Sequence, residues 1–133
     1  MSSRYRDLRI AVATFLKTKH PRVHFQQADD KATFPYLVFD LPNAFNTGES
    51  PEVYVLDVDG WDDSPNTEAL EDLMALVDGD GNPANPSGLQ RHVFILPAGS
   101  RAAVYRDSVL APPPPTDEPR LRRRRHTYQV RVF

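Results

Sequence analysis

Four carboxylates fall within seven residues in the stretch DVDGWDD, at Asp57, Asp59, Asp62 and Asp63. Carboxylates so spaced can hold Mg²⁺, which clamps and polarises a phosphoryl group. A site of that kind also needs a supporting Glu or Lys and an element that binds phosphate. The chain has no glycine-rich loop and no P-loop signature to provide one. The same acids fit a plainer place, because a strand running into a helix N-terminus often ends in carboxylates that face water and suit the helix dipole. That reading is preferred. A second acidic stretch, DGDGN, puts Asp78, Asp80 and Asn82 at the first, third and fifth positions of a calcium loop. The glycine required at the sixth position would be Pro83 and the bidentate glutamate of the twelfth would be Leu89, so the loop fails twice. It reads as a helix end and a turn.

The histidines are His20, His24, His92 and His126. His20 and His24 straddle a helix end and a proline, so they are not the one-face pair of a zinc site. The other two stand alone on separate strand candidates. Serines lie in loops without a nucleophile-elbow context. The absence of cysteine rules out disulfides, thiolate metal sites and a cysteine nucleophile. No enzyme is expected, and no cofactor or metal.

A short list of elements must carry these residues. RYRDLRIAVATFLKTK, 4–19, sets Tyr5, Leu8, Val12, Phe15 and Leu16 at helical spacing, with Ser2 or Ser3 as cap and Pro21 as stop. A short strand is expected at 22–26, and FPYLVFDL, 34–41, reads as a strand with Pro35 at its entry. PNAFNTGESPE, 42–52, reads as an exposed loop or hairpin arm. VYVLDVDGW, 53–61, is a strand with Tyr54, Leu56 and Val58 on one face and Val53, Val55, Asp57 and Asp59 on the other. In the helix that follows, Ser64 and Pro65 fit the cap and first position, with Asn66 a rival cap. Leu70, Leu73, Met74 and Val77 form its buried stripe, and Gly79 ends it. Trp61 is expected to close the core beneath that helix. A polar connection at 80–90 leads to strand candidates in RHVFILP and RAAVYRDSVLA. Prolines 112–115 demand a stiff extended arm near 111–119. The order favours an α+β domain, a mixed or antiparallel sheet of about four to six strands with two helices packed on one face.

RLRRRRHTYQVRVF, 120–133, carries the densest charge in the chain. Three readings compete for Arg122–Arg125. A nucleic-acid tail is one, but Tyr128, Val130 and Val132 alternate with Thr127, Gln129 and Arg131, as in a half-buried strand. A solvated edge strand whose charges resist aggregation is another. The third, preferred here, is an assembly interface in which the arginines meet a neighbouring subunit's acids, since the guanidinium fork matches a carboxylate at two points.

Composition agrees. At 133 residues the chain has the size of one domain, and a net charge of −2 argues against a general polyanion binder. No apolar run approaches the roughly 20 residues that cross a bilayer, and no signal-peptide core is evident, so a soluble, non-secreted protein is expected. Thirteen prolines against six glycines favour ordered connections.

Taken in order, FPYLVFDLP, VYVLDVDGWDDSPNTEALEDLMALV and PRLRRRRHTYQVRVF resemble the tail terminator (tail completion) proteins of long-tailed bacteriophages. In those proteins a PYxVxDLP strand, an LDVDGWDxxxxTxALExL strand-to-helix unit and a C-terminal RRRxxYxVRxF strand recur in this order. The likeness covers nearly the whole chain. It implies an α+β protomer that forms a six-fold ring on the finished tail tube, stops tube polymerisation and presents the surface for head joining. Implied partners are further copies of the chain, the tail tube protein, a head-completion (stopper) protein, and genome DNA passing through the lumen without sequence readout. No membrane is implied, and the location is the tail and neck of a virion assembled in the host cytoplasm. The expected inter-subunit residues are Arg122, Arg123, Arg124, Arg125 and Arg131 against Asp57, Asp59, Glu71 and Asp72. Phe45, Asn46, Thr47, Glu49, Pro113 and Pro114 are the expected ring-to-ring contacts. The alternatives are a head-closure or connector protein of the neck, or a small DNA-binding protein using the basic C-terminus.

Overall fold

The computed structural model describes residues 4–28, 33–46, 52–63, 66–82, 84, 86–97, 99–110 and 121–133, without the side chains of 43–46 and 110. Two helices, α1 (Arg4–Lys19) and α2 (Glu68–Asp78), accompany six strands: β1 (Val23–Phe25), β2 (Tyr36–Asn46), β3 (Glu52–Asp62), β4 (Val93–Ile95), β5 (Arg101–Leu110) and β6 (Arg122–Val132). The strands form one mixed sheet in the order β1-β2-β3-β6-β5-β4, with β1 parallel to β2 and the other pairs antiparallel. The C-terminal strand thus lies in the middle of the sheet, so the arginine run is folded backbone.

Alternation decides the two faces. Tyr54, Leu56 and Val58 of β3 and Tyr128, Val130 and Val132 of β6 are buried under the helices, together with Leu37 and Phe39 of β2 and Val104 of β5. α1 contributes Leu8, Val12 and Leu16, and α2 contributes Leu70, Leu73, Met74 and Val77. Gly60 sits where α2 crosses β3: a Cβ there would stand 2.6 Å from Met74 Sδ and 2.9 Å from Leu70 Cδ1.

Three expectations change. First, β2 does not stop before Pro42 but runs to Asn46. The register passes from Asp40↔Asp57 to Asn43↔Val55, so Leu41 and Pro42 together oppose Leu56 in a bulge. A bulge leaves one residue outside the ladder, which suits a proline that has no N–H to donate. Second, α2 starts later than a Ser64 cap implies. Thr67 stands at the N-cap with its hydroxyl on Glu71 Oε1 (2.9 Å), while Asn66 Oδ1 accepts the Glu68 N–H (3.0 Å). Ser64 and Pro65 lie outside the described residues. Third, Trp61 is not beneath α2. It pairs with Tyr36 and Arg123 on the opposite face, because it shares the parity of Asp57 and Asp59.

Candidate assembly surface

β6 carries its arginines to both faces of the sheet. Register places Arg125 directly opposite Asp59 and Arg123 opposite Trp61 on the helix-free face. Arg125 holds Asp59 through Nε–Oδ1 at 2.7 Å and Nη2–Oδ2 at 3.0 Å. The hydrogen bonds to Asp59 outweigh partial burial, which acts the other way, and raise the Arg125 pKa above its ordinary value, so the side chain stays charged. Next to this pair Thr127 Oγ1 donates to Asp57 at 2.8 Å, and the Arg123 guanidinium lies 5.1 Å from the centre of the Trp61 ring. Further along the same face Arg131 lies 5.6 Å from the Tyr105 ring centre. On the helix side Arg124 Nη2 meets Glu71 Oε1 at 3.3 Å, and Arg122 is half-buried nearby.

Two of the arginines expected at a subunit boundary meet two of the expected acids inside the chain itself. Arg125 takes Asp59 and Arg124 takes Glu71; Asp72 is exposed on α2. The same pairing answers the magnesium reading. Asp59 is bonded to a guanidinium and Asp57 to a hydroxyl, while Asp62 is buried and accepts the Asp63 N–H at 2.9 Å. Among the described residues no three His, Asp or Glu side chains group as a metal site. Of the expected ring-to-ring residues, Phe45 and Asn46 belong to the end of β2. Thr47, Glu49, Pro113 and Pro114 lie outside the described residues.

A second cluster has no counterpart in the sequence reading. Asp78, the last residue of α2, is buried and accepts bonds from Tyr128 Oη (3.0 Å) and Arg106 Nη1 (2.7 Å). Tyr128 O–H thus donates its hydrogen bond to the carboxylate, and its lone pair faces His126 Nδ1 at 3.2 Å. His126 is then the Nδ1–H tautomer, neutral, as burial lowers its pKa below the ordinary 6.5. Burial beside the same carboxylate drives the Tyr128 phenol far up. Asp78 and His126 floor a cleft of about 460 Å³ between α2 and the sheet, rimmed by Glu71, Arg106, Arg124 and Val109. The signal available in the sequence is slight: an acid at a helix C-terminus opposes the dipole and so needs a cation close by.

A third feature is apolar. α1 and β4 border an open groove of about 470 Å³ lined by Asp7, Ile10, Thr14, Phe15, Phe94 and Pro97, with the Phe15 and Phe94 rings edge to face at 5.7 Å. Ile95 and Val93 remain 73% and 46% exposed on the strand beside it, more than a solvated edge needs. No helix among the described residues is long and apolar enough to cross a membrane.

No protein-family profile and no curated protein matches the chain. Its fold is similar to that of a chain in the virion of a native gene transfer agent particle. The two align with a TM-score of 0.65 and 14% identity over 99% of this chain and 98% of that one. At that identity the likeness is one of fold, and it extends end to end.

Proposed function

We propose that this chain is a structural virion protein, a tail terminator that assembles as a six-fold ring on the tail tube. The observation that carries the reading is the end-to-end likeness of fold to a virion chain. The three sequence motifs that resemble tail terminators support it, with most of their described residues on β2, β3, α2 and β6. The protein works by binding and performs no reaction. One ring face repeats the contacts between successive tube rings; the other offers no site for a further tube subunit and receives the head-completion protein. Genome DNA crosses the lumen, touching the ring through phosphate alone, without sequence readout.

The arginine strand contributes by rigidity more than by direct docking. With Arg125 and Arg124 tied to Asp59 and Glu71, β6 is a fixed central strand from which Arg123 and Arg131 can reach a neighbour, as Asp72 can from α2. The experiment is negative-stain microscopy of tail tubes polymerising with the purified protein. Tubes capped at one end and arrested in length are expected. Uncapped tubes that continue to lengthen would remove the reading.

A further inference from the structure

The helix-free face of the sheet changes character along β6. Around Arg125 and Thr127 it is polar and internally paired, with Asp59 and Asp57 as partners. Toward Val132 it is apolar. Alternation there turns Val93 and Ile95 of β4, Tyr105 of β5 and Phe133 away from the buried Phe94, Val104 and Val132. Tyr105 is 43% and Phe133 61% exposed, beside the open Val93 and Ile95, so four large apolar side chains stand together in water. Two arginines lie among them. Arg131 rests over the Tyr105 ring, and Arg101, opposite Ile95, makes no ion pair among the described residues. The other charges at this end are Arg91 just before β4, Asp107 in the β5 bulge and the main-chain carboxylate of Phe133.

Residues 111–120, APPPPTDEPR, connect β5 to β6 and lie outside the described residues. Their sequence carries the complement of the patch. Four successive prolines favour polyproline II, a preformed helix that packs on aromatic side chains with little entropy to lose. Asp117 and Glu118 follow the prolines, with Arg120 behind them, so the segment is acidic by one charge.

We propose that this patch receives the proline-rich segment of a second copy of the chain, prolines 112–115 lying along Ile95, Tyr105 and Phe133 and the acids behind them on Arg101. The inference rests on the ring reading and supplies a contact between its copies. Reach decides that the segment comes from a neighbour. Arg131 is nine steps from Arg122 along β6, about 30 Å, and Arg101 and Ile95 lie farther out in the same direction. Asp117 is five residues from Arg122 and Glu118 four, so even a taut chain carries them no more than about 18 Å. The acids of one protomer therefore cannot meet its own Arg101. Burial of the apolar side chains drives the contact, and the Arg101 pairing fixes its direction. Segment and patch are different surfaces, so the contact is head-to-tail, the kind from which rings are built.

The natural chain has no cysteine, which makes the contact testable by crosslinking. Thr116→Cys and Ile95→Cys are made in separate preparations, mixed, and oxidised both in concentrated solution and on tail tubes. Disulfide-linked dimers are expected in the mixture at about tenfold or more over either preparation alone, as a head-to-tail contact demands. Adding Arg101→Glu to the Ile95→Cys chain should lower that yield by about fivefold. Adding Asp117→Arg with Glu118→Arg to the Thr116→Cys partner should then restore it. A mixture that crosslinks no better than its components, or a yield that charge reversal leaves unchanged, overturns the contact. So does a single chain carrying both cysteines that links within itself. Protection of Ile95→Cys from maleimide that needs tubes and survives serine at positions 112–115 would give the patch to the tube protein instead. Capped tubes without the crosslink would sink this contact and leave the ring reading standing. The crosslink in solution with tubes that stay uncapped would do the reverse.

Discussion

Arg125 and Asp59 stand opposite each other in register on β6 and β3, 66 positions apart in sequence, and close a two-point ion pair on the helix-free face. The pair joins the strand that ends at Val132 to the strand that leads into α2, the two motifs most characteristic of the chain. Because the acids sit inside the same protomer, half of the charge of the arginine run is met where it arises, Arg125 by Asp59 and Arg124 by Glu71. Asp40, Asp57 and Asp59 face Arg123, Arg125 and Arg131 across that side of the sheet. A balanced face of this kind specifies strand register more than it attracts a polyanion.

The pair should be asymmetric in its effect on stability. The Asp59 side chain is 12% exposed and that of Arg125 is 33% exposed. Arg125→Ala strands a nearly buried carboxylate and is expected to cost about 2–3 kcal/mol, below the figure for a wholly buried pair. Asp59→Ala leaves a guanidinium that can turn to water, and about 1 kcal/mol is expected. Urea midpoints of both single variants and the double variant check this. Equal losses, or additive ones, would mean that the two residues do not act together.

Duplex DNA should bind weakly. A basic tail that neutralised several phosphates would give a steep fall of affinity with salt. Here Arg124 and Arg125 are already paired with carboxylates, so the slope should correspond to about one or two phosphates. Replacing Arg122–Arg125 by alanine should change affinity little. Fluorescence anisotropy across a salt series measures the slope; a steep one, abolished by the substitution, would return the small DNA-binding protein to first place.

The elements with a long clean period were legible in the sequence. α1 and β3 stand within a residue or two of where apolar spacing puts them, because one face of each is buried along its length, whereas β6 starts at Arg122, ahead of the alternating Tyr128, Val130 and Val132. β2 runs past Pro42, which reads as a breaker in isolation, because the bulge opposite Leu56 accommodates it. The parity of Trp61 with Asp57 and Asp59 was readable, but the expectation that a tryptophan closes a core outweighed it. The partners of the arginines were beyond local pattern. Whether Arg125 meets Asp59 of its own chain or of a neighbour depends on which strand lies beside β6 and in what register, and a change of one residue would send the side chain to the other face. The Asp78 cluster was equally hidden, since it joins α2, β5 and β6 over tertiary distance.

Gly60 should resist substitution for a reason of packing alone. Its missing side chain lets α2 approach β3 until Met74 Sδ and Leu70 Cδ1 occupy the space a Cβ would take. Both neighbours are side-chain ends and can shift, so Gly60→Ala is expected to cost about 1–3 kcal/mol without abolishing the fold. The double variant with Met74→Ala should recover part of that loss. Thermal unfolding of the three proteins decides it; a neutral Gly60→Ala would show that the helix has room to move away from the sheet.

The buried His126 makes stability depend on pH in a direction the geometry sets. Facing it are Asp78 of α2, Arg106 of β5 and Tyr128 of its own strand, with Glu71 and Arg124 on the rim of the cleft. Asp78 is already matched by Arg106, so a proton on His126 adds an unmatched positive charge, and burial lowers the folded-state pKa below 6.5. The unfolded chain takes up that proton first as pH falls. Full stability is therefore present above the unfolded value of 6.5 and declines below it until the folded imidazole also titrates. His126→Gln should flatten this part of the profile, measured as urea midpoints from about pH 7.5 to 5. Tyr128→Phe should instead lower stability at every pH by about 1–2 kcal/mol, because it removes one bond to Asp78 and leaves the His126 Nδ1–H without an acceptor. A wild-type profile that stays level through this range, or a His126→Gln profile as steep as the wild type, would mean that the imidazole is not held neutral by the cluster.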